Sequence, residues 1–247
     1  MTEIKPYKNS TTGKKAQVKE MFDNISGSYD KINRLITFGM DIKWRNNVLN
    51  IVASENPVNI LDIATGTGDM AILFSKTTAK KIVAIDISEE MLSVAKEKIS
   101  NLNLKELIDI KQGDAENLIF DDNSFDVVTV SYGIRNFANL KKGLSEIRRV
   151  LKPSGVLVIL ETSVPLHFPF KQGYLIYTTK IMPFWGKILS KDQRAYSYLS
   201  DSALNFPYGE KLKDILDETG YGDIKIIPQS KGFSTIYTAN KSSNHTL

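Results

Sequence analysis

Four aspartates, Asp62, Asp69, Asp86 and Asp114, stand at or just past the ends of apolar runs in the first half of this 247-residue chain. The first two bracket a small-residue turn, Asp62-Ile63-Ala64-Thr65-Gly66-Thr67-Gly68-Asp69, and Asp86 closes the run Ile82-Val83-Ala84-Ile85. An apolar run, a glycine turn, a helix and a second apolar run ending in an acid make a cradle for a nucleotide-type cofactor. Phosphate-binding turns present backbone N–H groups, often with a lysine, to an anion. A turn ringed with carboxylates instead suits a ligand with cationic groups, a ribose and no phosphate. S-adenosyl-L-methionine, with its sulfonium and free amine, meets that description.

A dinucleotide reading competes with this one. Gly66-x-Gly68-x-x-Ala71 fits the dinucleotide fingerprint, and Asp86 follows at about the distance where an acid would hold a ribose hydroxyl. Three features weigh against NAD. Asp62 would face a pyrophosphate unfavourably. Gly113-Asp114-Ala115 places a carboxylate suited to accepting from the amino group of adenine. The chain also ends in two strands with no helix between them, unlike an all-parallel dehydrogenase sheet. A methyltransferase, an NAD-dependent oxidoreductase and a non-catalytic cofactor-binding module all remain open at this point.

These residues need a scaffold, and the pattern supplies one. Strands are expected at 58–63, 81–87, 107–112, 125–131 and 156–161, alternating with helices at 69–78, 89–101 (Ser88 as N-cap) and 140–151, the last stopped by Pro153. That rhythm predicts an α/β fold: a Rossmann-like, seven-stranded and mostly parallel sheet, closed by an antiparallel hairpin from strands at 224–229 and 233–239 after a helix at 208–219. Ligands should lie outside the carboxyl ends of its strands. Residues 1–15 read as a loose arm and 16–240 as one methyltransferase-type domain. Within it, 16–56 form N-terminal cap helices, broken at Ser26-Gly27-Ser28 and ended by Asn56-Pro57. Residues 164–203 form an inserted helical cap with aromatic clusters such as Pro183-Phe184-Trp185, and 241–247 a polar tail.

Composition removes whole classes of function. With no cysteine and two histidines, His167 and His245, thiol nucleophiles, disulfides and a histidine-rich metal centre are excluded. No metal is expected. A net charge of +4 without a basic stripe does not point to nucleic acid. No apolar h-region opens the chain and no run approaches membrane-spanning length, so the expected address is cytoplasmic.

Two further constellations sit where chemistry could occur. Tyr29-Asp30-x-x-Asn33, with Gly39 and Trp44-Arg45, crowds polar groups among aromatic rings, although amphipathic helix packing alone would also explain it. Ser131-Tyr132-Gly133-Ile134-Arg135-Asn136 follows the fourth strand at the open mouth of the sheet. The segment from Tyr29 to Arg45 resembles one signature of the demethylmenaquinone/ubiquinone C-methyltransferase family. Arg149 to Gly155, running into Leu160-Glu161-Thr162-Ser163, resembles its other signature, and Gly133 to Asn136 and Ile181-Met182-Pro183 resemble further family segments. The similarity spans about residues 18–239. Asp41 stands where the family often has His, and Ile32 where it usually has Met.

That resemblance implies methyl transfer from S-adenosyl-L-methionine to a ring carbon of a reduced, prenylated naphthoquinol, with a benzoquinol or another small phenol as alternatives. It implies Asp62, Gly66 and Gly68 in the cofactor loop, Thr67 on the methionine part, Asp86 on the ribose, Asp114 with Ala115 on the adenine, and Ser131 at the floor. Arg135 is expected to stabilise a phenolate or orient a water, with Tyr29 and Asn33 holding the ring hydroxyls. His167 is a weaker candidate for the base. The lipid tail would explain the aromatic cap, and Lys171, Lys180, Lys187 and Lys191 could touch anionic headgroups in a peripheral membrane contact. The oligomeric state is not legible.

Overall fold

The computed structural model describes residues 4–7, 10–181 and 192–241. Seven strands form one sheet: β1 (Asn59–Ile63), β2 (Lys81–Asp86), β3 (Ile108–Gln112), β4 (Phe125–Ser131), β5 (Leu151–Thr162), β6 (Tyr221–Gln229) and β7 (Ser234–Lys241), in the order β3-β2-β1-β4-β5-β7-β6. The first five run parallel, and β7 pairs antiparallel with both β5 and β6. The chain therefore reverses its direction of travel between β1 and β4, and a crevice opens there at the strand ends.

Strand alternation sorts the core onto two faces. Leu61, Ile63, Val128 and Val130 pack with helices α6 (Leu140–Val150) and α9 (Glu210–Glu218). Ile60, Ile82, Val127 and Val158 pack with α3 (Met40–Ser54), α4 (Asp69–Phe74) and α5 (Glu89–Asn101). A third, smaller cluster sits apart from both. It joins α1 (Lys14–Ile25), α2 (Tyr29–Ile36) and α8 (Gln193–Asn205) through Met21, Ile25, Ile32, Tyr196 and Leu199. Helix α7 (Phe170–Ile176) runs on into a π turn, Tyr177–Ile181.

Expected and observed elements differ most in α4, in β5 and in the N-terminal arm, and β6 begins at Tyr221 rather than 224. Helix α4 stops at Phe74 rather than running to 78, because the Ser75 and Thr77 hydroxyls donate back to the carbonyls of Ile72 and Phe74. Strand β5 begins at Leu151, earlier than 156. Leu151 pairs with Phe125, a bulge follows, and pairing resumes at Val156 opposite Val127, so Pro153 falls where the ladder is interrupted. The described part of the arm expected to be loose is tied down: Tyr7 is buried and its hydroxyl donates to Asp192 at 2.5 Å. Pro183-Phe184-Trp185, Lys187, Lys191 and the tail 242–247, with His245, lie outside the described residues.

Candidate active site

The turn after β1 brings its polar groups together by register and by backbone conformation. Asp62 stands opposite Thr129 across the β1–β4 ladder, and the Thr129 hydroxyl donates to it at 2.6 Å while that of Thr65 donates at 2.7 Å. Burial raises the Asp62 carboxyl to about 6, against these two bonds. Gly68, at φ +81°, turns the chain into α4, and a Cβ there would meet that of Ala95 at 3.0 Å. Gly133 passes so close to the same turn that a Cβ would lie 2.4 Å from that of Ala64.

Asp86 is a receiver of backbone N–H groups. The amides of Gly66 and Ser88 donate to its two oxygens at 2.8 and 2.9 Å, and burial still leaves its carboxyl above the ordinary value. Asp114 accepts from the Glu116 amide at 2.9 Å and from Lys15 at 2.6 Å. Lys14 donates to the carbonyls of Arg135 and Phe137, so the start of α1 straps across the crevice. Together Gly66, Asp86, Asp114, Ala115 and Ser131 line this crevice at the strand ends. Asp62 and Thr67 line a small recess beside it, also walled by Gly66 and Ser131.

The structure uses two of the expected polar residues differently. Asp69 is paired with Lys98 at 2.7 Å and Arg45 at 3.2 Å, and lines none of these spaces. The Thr67 hydroxyl donates to Asp30 at 2.6 Å, tying α2 to the turn. Asp30 in turn meets Lys98, and Arg34 and Arg45 meet Asp41, so a chain of charges holds α2 and α3 against α4 and α5. Asp41, at the position the resemblance often fills with His, is buried in that chain.

A second space opens beyond the crevice, a cavity of ≈ 330 Å³ with mostly apolar walls from Ile36, Trp44, Tyr174, Leu199 and Phe233. Arg135 and Asn33 project into its lining. The buried Arg135 guanidinium donates through Nη1 to Glu161 at 2.5 Å and to the Tyr132 carbonyl at 2.8 Å. Burial opposes its charge, but Glu161 overrides that and raises its pKa. Asn33 and the Tyr29 phenol both line this cavity, and burial raises the pKa of that phenol. Tyr29 and Tyr132 line the crevice, the small recess and the apolar cavity alike. They are the shared wall. His167 is exposed on the loop before α7 and lines none of the three.

Lys15 and Phe233 lie outside the motifs, and Tyr132 and Glu161 lie inside motif segments that assigned them no role. Glu161 could have been found by the same signal as Asp86, an acid at the carboxyl end of a strand. Among the described residues no group of three or more His, Asp or Glu stands close enough to hold a metal ion.

A profile of the ubiE/COQ5 methyltransferase family matches residues 10–241. A demethylmenaquinone methyltransferase of Bacteroides fragilis is 45% identical over 240 residues, covering 96% of this chain and 97% of its own. The chain belongs to the ubiE/COQ5 methyltransferase family. Proteins of the same name from Porphyromonas gingivalis and Staphylococcus saprophyticus are 39% and 38% identical, over 96% and 92% of this chain and 98% and 97% of theirs. Among solved structures, a possible histamine N-methyltransferase from Thermotoga maritima matches with a TM-score of 0.66 at 19% identity, covering 90% of this chain and 99% of that one. An S-adenosylmethionine-dependent methyltransferase from Aquifex aeolicus gives 0.55 at 20%, over 78% and 89%. This family member is a methyltransferase, and S-adenosyl-L-methionine is its cofactor. Its crevice fits that group: the Ser131 hydroxyl is buried with no partner, and Gly66, at φ +58°, leaves open space above the turn.

Proposed function

We propose that this enzyme methylates a ring carbon of a reduced, isoprenoid-tailed naphthoquinone, converting demethylmenaquinol to menaquinol. One observation carries the reading: a crevice edged by carboxylates and a larger apolar cavity meet at Tyr29 and Tyr132, where a donor held in the first and an acceptor held in the second reach each other. The names of the relatives supply the substrate class.

When bound, the cofactor supplies an electrophilic methyl on a sulfonium. The chain's own residues do the rest. Asp86 takes the ribose hydroxyls, Asp114 and Ala115 the adenine, and Ser131 the floor. Asp62, Gly66, Thr67 and Gly68 shape the recess for the amino-acid end. A ring carbon becomes nucleophilic once a neighbouring phenol loses its proton. Arg135 cannot be the group that takes it, since a guanidinium stays charged, but it stabilises the phenolate electrostatically. Tyr29 and Asn33 hold the ring hydroxyls in line with the methyl.

The tail leaves through a rim of exposed apolar side chains. Leu35, Phe38 and Ile42 come from the α2–α3 corner, and Leu166, Phe168 and Ile176 from around α7; Phe38 lies against Tyr177 with ring centres 5.9 Å apart. Lys171 and Lys180 are exposed beside them. No helix among the described residues is long and apolar enough to cross a membrane. Peripheral, reversible contact with an anionic membrane, at its cytoplasmic face, suits this rim.

The test is purified protein with labelled cofactor and chemically reduced demethylmenaquinone, and mass analysis of the product. A ring-methylated quinol is expected. Transfer to oxygen, or none, overturns the reading. Offering a benzoquinol in the same assay measures how narrow the choice is.

A further inference from the structure

Arg45 is the cation of the small recess. Among the described residues lining that space it alone carries a positive charge, in company with Asp62, Thr67 and Ser131. It also lines the apolar cavity, so it stands at the partition between the two. Its root is fixed, because the neighbouring Trp44 indole donates to Ser230 at 2.8 Å and pins α3. The guanidinium itself is thinly held. Nη1 donates to Asp69 at 3.2 Å, and Nε lies 3.6 Å from Asp41, buried and without a hydrogen bond. Nη2 has no partner either, and it is not closed off from the surface as Nε is. Both acids have a closer donor: Asp69 lies 2.7 Å from Lys98, and Asp41 lies 3.2 Å from Arg34 and accepts from the Thr37 hydroxyl at 2.8 Å. Arg45 is the member of the charge chain with capacity to spare.

The turn on the other side of the recess has little left for an anion. The amides of Thr65, Gly66 and Gly68 donate to the Ile85 carbonyl, to Asp86 and to the Thr65 carbonyl, at 3.0, 2.8 and 3.0 Å. The Thr67 hydroxyl is spent on Asp30. A carboxylate entering here meets Asp62, of its own charge, and finds a counter-charge only in Arg45. A guanidinium offers such a group a planar set of charge-assisted donors.

We infer that Arg45 binds the carboxylate at the amino-acid end of the cofactor, and so makes the enzyme selective for nucleosides that carry one. This rests on the placement of that end in the recess proposed above, and not on the identity of the acceptor. The measurement is calorimetric binding, without acceptor, of S-adenosylhomocysteine and of 5′-deoxy-5′-(3-aminopropylthio)adenosine, which is the same molecule lacking its carboxylate. Wild-type enzyme should bind the first roughly thirtyfold or more tightly. Arg45→Met should cut that preference to within about threefold, by weakening S-adenosylhomocysteine while leaving the amine-only nucleoside near its wild-type affinity. Asp69 and Asp41 keep Lys98 and Arg34 in that variant, so neither is stranded. Arg45→Lys, which keeps the charge and loses the fork, should hold an intermediate preference. Equal affinities in the wild type overturn the inference, as does a preference that survives Arg45→Met. A variant that weakens both nucleosides alike marks a purely structural role and overturns it too. An enzyme that binds the two nucleosides as expected but methylates no quinol loses the reading of its acceptor and keeps this one.

Discussion

The crevice and the apolar cavity are built by different means, although they share a wall. The crevice is made of turns at the ends of β1, β2, β3 and β4, and its polar groups are largely engaged with the protein itself. Gly66 and Ser88 amides hold Asp86, hydroxyls hold Asp62, and Lys15 holds Asp114. The cavity is made of side chains from α2, α3, α7 and α8 with Phe233, and it is mostly apolar. Arg135, in its lining, is paired with the buried Glu161, and one polar atom of each is left without a partner. In the function proposed above, the half built from strand-end turns takes the cofactor and the half assembled from helices outside the sheet takes the acceptor. The comparison also corrects the notion of a uniformly negative cradle: Asp69 and Asp114 are neutralised by cations, and only Asp62 and Asp86 rely on hydroxyls and amides.

The contrast can be broken most forcefully at Arg135. Arg135→Ala should lower turnover on the order of a thousandfold while leaving S-adenosylhomocysteine affinity within about threefold, as measured by calorimetry. Because it strands Glu161, it should also lower stability by about 3–5 kcal/mol in denaturant unfolding. A large loss of cofactor affinity would mean the two spaces are not separate in function. The mirror experiment is Asp86→Ala, expected to weaken S-adenosylhomocysteine on the order of a hundredfold, since two charge-assisted hydrogen bonds are lost. Naphthol binding in the cavity should not change.

A subtler effect belongs to Asp62. Its carboxyl titrates at about 6 in the fold against about 4 unfolded, so the native state holds more protons between those values. Stability should therefore fall as pH rises through about 4 to 6, by about 2–3 kcal/mol from this group. Asp62→Asn should flatten that part of the stability profile and melt higher than wild type at pH 7.5. Smallest of all, Phe38→Asp or Phe168→Asp should reduce co-sedimentation with anionic vesicles several-fold, and leave turnover of a tail-less quinol unchanged. Binding indifferent to anionic lipid would remove the headgroup role of Lys171 and Lys180.

What the sequence disclosed follows the same division. Apolar runs and glycine turns located β1, β2 and β4 and hence the crevice, because strand ends are local features. Glu89–Asn101 and its Ser88 cap, whose hydroxyl accepts from the Met91 amide, were legible for the same reason. The charge chain from Asp30 through Lys98, Asp69 and Arg45 to Asp41 was not, since its members meet only after four helices pack. Thr67 looked like a ligand contact because nothing local shows that Asp30 reaches it. Tyr7 and Lys15 looked like parts of a loose arm because their partners, Asp192 and Asp114, lie far along the chain. Arg135 was expected at the mouth of the sheet and lines the apolar cavity there, but its bond to Glu161 spans the β4–β5 neighbourhood and leaves no spacing signature.

The meeting of the two spaces at Tyr29 and Tyr132 is best tested by a crystal structure with S-adenosylhomocysteine and a naphthoquinol analogue bound together. The nucleoside should lie over Gly66 with its ribose on Asp86, and the ring should lie in the apolar cavity with its edge facing the sulfur beside the two tyrosines. A ring bound away from Arg135, or a nucleoside seated in the apolar cavity, would contradict the account.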